Sequence, residues 1–233
     1  MGAMRSNGTM AYQAINSAAA AQHLQILGGF HPDPGDGAPP GCETLVMLGP
    51  GPDFWAHLTA SAEYHDGAPD PIDRWSRRVL TALAADHDAT ALLPFGGPPY
   101  APFYSWALST GRAWAAPIAF LVHDTEGLFV SYRGALALSR RIPLPEARAA
   151  APCHGCDAPC LSGCPVDALG PERYDVPACA AFLETGPGRG CREDGCAARR
   201  ACPVGQGRRS PAQSAYHMDV FLRNFQKSAD PKA

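Results

Sequence analysis

The apolar positions of the chain fall into runs of distinct period up to about residue 150, and those runs predict its first elements. Ile15, Ala18, Ala19, Gln22, Leu24, Ile26 and Leu27 outline a weak helical face over residues 9–27, with Gly28-Gly29 as its stop. Phe30 to Gly41 is Pro-, Gly- and Asp-rich and reads as loop. Thr44 to Leu48 is a short continuous apolar run, hence a buried strand, and the turn Gly49-Pro50-Gly51-Pro52 leads to Asp53, placed to cap a helix carrying Phe54, Trp55 and Leu58. The best-signed helix follows. Asp70 precedes Pro71, and Ile72, Trp75, Val79, Leu80 and Leu83 recur at helical spacing behind them. Ala89 to Phe95 reads as a strand. Ile118 to Val122 and Leu128 to Tyr132 read as two strands joined by a hairpin over 123–127, and Gly134 to Leu138 continues the apolar course.

Past a Pro-bounded linker at 143–152 the pattern changes, because cysteine rather than periodicity now sets the spacing. Eight of the nine cysteines lie between 153 and 202. The first run is Cys153-x2-Cys156-x3-Cys160-x3-Cys164-Pro165. A second, looser run, Cys191, Cys196 and Cys202, also ends in Cys-Pro-Val. The bacterial ferredoxin pattern is C-x2-C-x2-C-x3-C-P, with the fourth cysteine serving the other cluster. The present run is one residue longer in its middle. Iron selects thiolate ligands, a loop with closely spaced cysteines wraps three corners of an iron–sulfur cube, and the cysteine before proline is carried off to a neighbouring cube. The spacing therefore assigns Cys153, Cys156, Cys160 and Cys202 to one [4Fe-4S] cluster, and Cys164, Cys179, Cys191 and Cys196 to a second. Structural zinc is the competing reading, although zinc sites rarely interlock through Cys-Pro repeats. Disulfides compete less well, since they need an oxidising compartment. Asp175 to Leu183 is expected to be a short helix presenting Cys179. Ser210 and Pro211 open a last helix whose face of Met218, Phe221, Leu222 and Phe225 is expected to pack on the first domain, with a disordered tail from Ser228.

Charge refines this picture only slightly. The net charge is −3, which argues against nucleic acid as a partner. Residues up to 150 hold 9 basic and 13 acidic side chains, and the remainder 10 and 9. Arg199, Arg200, Arg208 and Arg209 flank Cys202, either to offset cluster charge or as a solvated face. No apolar segment is long enough to cross a bilayer and none resembles a secretory signal, so a cytoplasmic protein with no membrane partner is expected.

The stretch from Cys153 to Pro203 resembles the two-cluster module of epoxyqueuosine reductase and of the reductive dehalogenases. The order agrees: four cysteines ending in Cys-Pro, a lone cysteine in Cys179-Ala-Ala-Phe-Leu-Glu184, and a run of three ending in Cys-Pro. The resemblance implies the same eight ligands, position by position. The first 150 residues are similar to the CblC-type cobalamin-processing proteins over Pro40 to Leu58, Pro69 to Leu83 with Asp70-Pro-Ile-Asp73, and Pro117 to Leu138. The nearest match is Ile118-Ala-Phe-Leu-Val-His123 with Gly127-Leu-Phe-Val-Ser-Tyr-Arg133-Gly134. This implies a flavin-reductase-like (nitroreductase-like) α/β sandwich over 1–150, an α+β chain as a whole, and a bacterial-ferredoxin-like module over 151–233. It also implies that Arg133 lies beside a corrin. The Phe95 to Trp106 segment departs from that family's ligand-covering loop, and no residue carries over as a catalytic acid. The long helical-repeat tail of epoxyqueuosine reductase is missing, so transfer RNA is not implied as substrate.

The reading that follows is an iron–sulfur oxidoreductase or electron-transfer protein. Two clusters would pass electrons from a donor protein, such as a flavodoxin or ferredoxin reductase, to a cofactor of the first domain, with cobalamin as the candidate. An accessory ferredoxin-type carrier without corrin, and a cluster-stabilised structural or sensor protein, are the alternatives. Tyr100, Tyr104 and Trp106, in the aromatic loop 94–106, are candidates to line a flat ligand or to form a lid on the core. His123 reads as a turn cap, His154 and His217 as surface residues, and Cys42 as a free thiol outside the cluster set.

Overall fold

The computed structural model describes residues 2–147 and 150–229. The chain folds into two compact units, and it leaves the first for the second twice. The first unit holds residues 1–113 and 131–149, the second residues 114–130 and 150–233.

The first unit begins with α1 (Gly2–Ala21), β1 (Leu24–Phe30), β2 (Thr44–Pro50), α2 (Phe54–Thr59), α3 (Ala62–His65), α4 (Pro71–Asp86), β3 (Ala89–Leu92) and α5 (Phe103–Ser109). β4 (Ala113–Ala115) and β5 (Leu121–His123) pair as a small separate sheet, and β6 (Gly134–Leu138) returns to the first unit. Its antiparallel sheet runs β1-β2-β6-β3. Val46, Leu48, Leu136, Leu138, Leu24 and Ile26 pack with Ile15 and Ala19 of α1 and Trp75, Val79, Leu80 and Leu83 of α4. Leu45, Met47, Ala135 and Ala137, which alternate with these along β2 and β6, are buried as well. Burial on both sides explains why these two strands are continuously apolar instead of alternating. The whole molecule is a mixed α+β chain with antiparallel sheets.

Several expectations are corrected here. The helix ends at Ala21 instead of Leu27, and Leu24 to Phe30 is an edge strand. Gly28 is a bulge in that strand, not a helix stop. The register shifts between Ile26 and Gly28, φ is +134°, and an added Cβ would lie 2.7 Å from the Thr110 Cβ. Asp53 and Asp70 precede their helices as expected, but neither side chain makes a capping bond, and Asp70 is left-handed at φ 53°. The strand from Ala89 stops at Leu92. The 118–132 hairpin is reduced to a tight turn, with one bridge between His123 and Gly127, while β5 takes β4 as its ladder partner.

The second unit completes the chain with β7 (Leu169–Gly170), β8 (Arg173–Tyr174), α6 (Val176–Leu183), α7 (Arg189–Asp194), α8 (Ala197–Arg200) and α9 (Pro211–Ala229). Two small cores are found among its described residues. Ile118, Val122 and Leu128 pack around Cys160, Leu169, Ala198 and Cys202. This packing draws 114–130, expected within the first domain, into the second unit. Met218 and Leu222 of α9 pack on Ala180, Leu183 and Cys191 of α6 and α7. The apolar face of α9 is therefore consumed within its own unit, not by the first domain. The helix also runs through Ser228, where disorder was expected; residues 230–233 lie outside the described residues.

Candidate metal centres

The loop from Cys153 to Cys164 is built from consecutive tight turns. Cys156 N–H donates to the Cys153 carbonyl at 3.2 Å, Leu161 N–H to Ala158 at 3.0 Å, and Asp167 N–H to Cys164 at 3.1 Å. Each turn redirects the chain after two or three residues, so successive thiols face one space instead of alternating sides. The fourth thiol of that space, Cys202, follows α8, where its N–H donates to the Arg199 carbonyl at 3.3 Å. Cys153, Cys156, Cys160 and Cys202 together line a small pocket walled by Val122, Leu128, Pro159 and Val204. Cys160 and Cys202 are buried, whereas Cys153 and Cys156 are half-buried.

The close approach of two backbones fixes Cys202. Gly127 has φ +56°, and a Cβ there would collide with the Val204 carbonyl and sit 3.4 Å from the Cys202 sulfur. The His123 ring steadies the same turn, as Nδ1 accepts from Thr125 N–H at 3.2 Å and Glu126 N–H at 3.3 Å. His123 is thus a turn cap, as its position predicts.

The second group is assembled mainly from helix starts. Asp175 caps α6, accepting from Ala178 N–H at 2.9 Å, and thereby sets the helix that carries Cys179. Cys191 lies in α7, and Cys196 immediately precedes α8. The Cys164 sulfur accepts from Ala168 N–H at 3.3 Å, which turns it away from its neighbours in the first loop.

Electrostatics links several of these thiols. Burial pushes Cys153 up, and Cys160, Cys156 and Cys202 add to that shift. Cys160 is raised by burial, with Cys202 and Cys156 contributing. Burial pushes Cys179 up to about 11; Tyr174 opposes it, and Cys196, Cys164 and Cys191 reinforce it. The thiols that act on Cys153, Cys160 and Cys179 thus all belong to the same four as the thiol they act on. Those fours are the two sets that the spacing assigns. Four thiolates gathered in a half-buried space repel one another, so they ionise together only around a polycation. Soft donors in two sets of four, one of them around an apolar space, fit two four-iron clusters. Among the described residues no three His, Cys, Asp or Glu side chains are close enough to hold a single metal ion.

The remaining candidates are dispersed. Cys42 donates to the Thr44 carbonyl at 3.3 Å and is raised by burial, so it is a protonated thiol. Arg133 pairs through Nη1 with Asp73 Oδ1 at 3.3 Å, which joins two of the stretches that carry the corrin-protein resemblance. Trp106 is buried and donates from Nε1 to the Asp36 carbonyl at 2.7 Å, so it belongs to the core. Tyr100 and Tyr104 are exposed. His154 and His217 are at the surface. Of the arginines flanking Cys202, Arg199 donates to the Leu128 carbonyl at 2.7 Å and lies 4.7 Å from the Phe129 ring. Arg200 donates to the Gly195 carbonyl at 3.1 Å, and Arg208 is 3.8 Å from Glu126. They are therefore not a uniformly solvated face. The sequence did not single out Tyr174; its one signal is an aromatic directly before the capping Asp175. Nor did it single out Val122 and Leu128 as walls of the first space.

No protein-family model matches this chain, and no curated protein matches it. Among the described residues no helix is long and apolar enough to cross a membrane.

Proposed function

We propose that this is an iron–sulfur electron-transfer protein, with Cys153, Cys156, Cys160 and Cys202 holding one [4Fe-4S] cluster and Cys164, Cys179, Cys191 and Cys196 a second. The observation that carries the reading is the pocket shared by Cys153, Cys156, Cys160 and Cys202, which brings together four cysteines that the spacing assigns to one cluster. When bound, each cluster accepts and returns one electron. The protein's own part is to hold the thiolates, to exclude water with Val122, Leu128 and Val204, and to offer the Ala168 N–H to the Cys164 sulfur. On this reading the second unit is a bacterial-ferredoxin-like module in an irregular form. The first is a flavin-reductase-like sandwich, in keeping with its antiparallel sheet and the packing of α1 and α4 on one face.

The terminal acceptor we propose is a cofactor of the first unit, with a corrin as candidate and a flavodoxin or ferredoxin reductase as donor. A specific observation favours a second reading, an accessory carrier without corrin. Two of the four candidate corrin contacts are engaged elsewhere, Arg133 with Asp73 and Trp106 with the Asp36 carbonyl.

Anaerobic reductive titration tests the shared core of both readings. Uptake of roughly two electrons per chain, one for each cluster, is expected, and no uptake overturns it. Adding hydroxocobalamin to the same preparation separates them. A spectral shift with tight binding supports corrin delivery, and an unchanged spectrum supports the carrier.

A further inference from the structure

Three of the arginines that flank Cys202 in the chain line one pocket of the second unit. Arg199, Arg200 and Arg209 share it with Phe129, Asp194 and Ser214. The pocket wall holds their side chains. Arg199 donates from Nε to the Leu128 carbonyl at 2.7 Å, and Arg200 from Nε to the Gly195 carbonyl at 3.1 Å. The guanidinium carbons of Arg199 and Arg209 lie 4.7 and 5.6 Å from the centre of the Phe129 ring, so one aromatic support gathers two like charges. Among the described residues no carboxylate pairs with Arg199 or Arg200, and their terminal nitrogens have no hydrogen-bond partner. Ser214 adds a second unmet demand. It is only 3% exposed, and its hydroxyl has no hydrogen-bond partner among the described residues, although its N–H donates to the Ser210 carbonyl at 3.0 Å. A Cβ added at Gly195 would lie 3.1 Å from the Ser214 Oγ and 3.6 Å from Phe129 Cε1, so the hydroxyl, the ring and the anchor of Arg200 meet at one place.

Gathered cations without a counter-ion, and a buried hydroxyl without a partner, each cost the fold free energy that a bound anion returns. Three arginines against one aspartate leave the lining with a net charge of +2. A phosphate dianion matches that charge. A single guanidinium fork fills a carboxylate, whereas a phosphoryl group presents oxygens enough for several forks and a hydroxyl. The cavity holds about 320 Å³, within the range of pockets that take small organic ligands, about 300–1,000 Å³. We propose that this pocket binds a phosphate dianion, either free or as the phosphoryl group of a small monoester. Arg199, Arg200 and Arg209 oppose its charge, and the Ser214 hydroxyl donates to one of its oxygens. The site goes beyond the two-cluster reading and does not depend on it.

The test is calorimetric titration of the full chain, purified without oxygen, at constant ionic strength and above the second pKa of phosphate. Inorganic phosphate and glycerol phosphate are the probes, and sodium chloride is the control. Saturable binding of a phosphate probe at one site per chain is expected, with none for chloride. Tighter binding of glycerol phosphate assigns the site to a monoester, and tighter binding of inorganic phosphate assigns it to the free ion. Ser214→Ala is expected to weaken binding about tenfold, the size of one hydrogen bond to a charged group. Arg200→Gln, a change at an exposed side chain, is expected to weaken it by about tenfold or more with an unchanged thermal midpoint. If Ser214→Ala does not fold, Arg200→Gln carries the test alone. Failure of both probes to bind, or binding that Arg200→Gln leaves unchanged, overturns the proposal. The iron content of the same preparation reports on the clusters separately, so either reading can fail without the other.

Discussion

At Gly127 the backbone is left-handed, at φ +56°, and the Val204 carbonyl occupies the space a side chain would need. Gly127→Ala therefore combines a conformational cost of about 1–2 kcal/mol with a collision that only movement of the Cys202 turn relieves. A fall in the thermal midpoint of the second unit is expected, with loss of the iron bound by Cys153, Cys156, Cys160 and Cys202. Retained iron and an unchanged midpoint contradict this placement of the turn. The eight cysteines proposed as ligands stand out in the chain by their loop spacing and by the prolines that follow Cys164 and Cys202. Val122 and Leu128, which wall the pocket of four of them, do not, because nothing in their spacing marks which loop they meet. The helix caps fail for a local reason: Asp53 and Asp70 stand at the right positions, but their backbones do not direct the carboxylates to the helix amides.

The helix α9 packs on the elements that carry two of the proposed ligands. Leu222 is buried against the core that contains Cys191, Ala180 and Leu183, with Cys179 packed on the same cluster. Leu222→Ala is expected to cost about 2–5 kcal/mol and to loosen α6 and α7 against α9. Thermal unfolding with parallel iron analysis checks it. The predicted result is loss of one cluster, about four irons per chain, whereas full retention of iron contradicts the coupling. Elements with a single reading of their period were predicted well. Thr44 to Leu48 and Gly134 to Leu138 are too apolar to face water on either side, and α4 shows its stripe through Trp75, Val79 and Leu83. Leu24, Ile26 and Leu27 satisfy both helical and strand spacing, and the Gly28 bulge looks like a helix end. That ambiguity hid β1. The face of α9 was visible, but its partner was not, since an amphipathic stripe does not say which core completes it.

The division of the whole chain is discontinuous, and this is where the linear reading loses most. A boundary near residue 150 is marked by proline and by the onset of cysteine. Nothing in the run Ile118 to Val130 shows that it belongs beyond that boundary, because Val122 and Leu128 look the same whether they pack on a sheet or around sulfur. Its placement matters, since those two side chains and Gly127 complete one of the two thiol spaces. The account as a whole depends on what the two fours bind. Iron, acid-labile sulfide and zinc measured together on protein purified without oxygen decide it most directly: about eight irons and as many sulfides per chain are predicted, while zinc in their place, or iron well below that amount, contradicts the account.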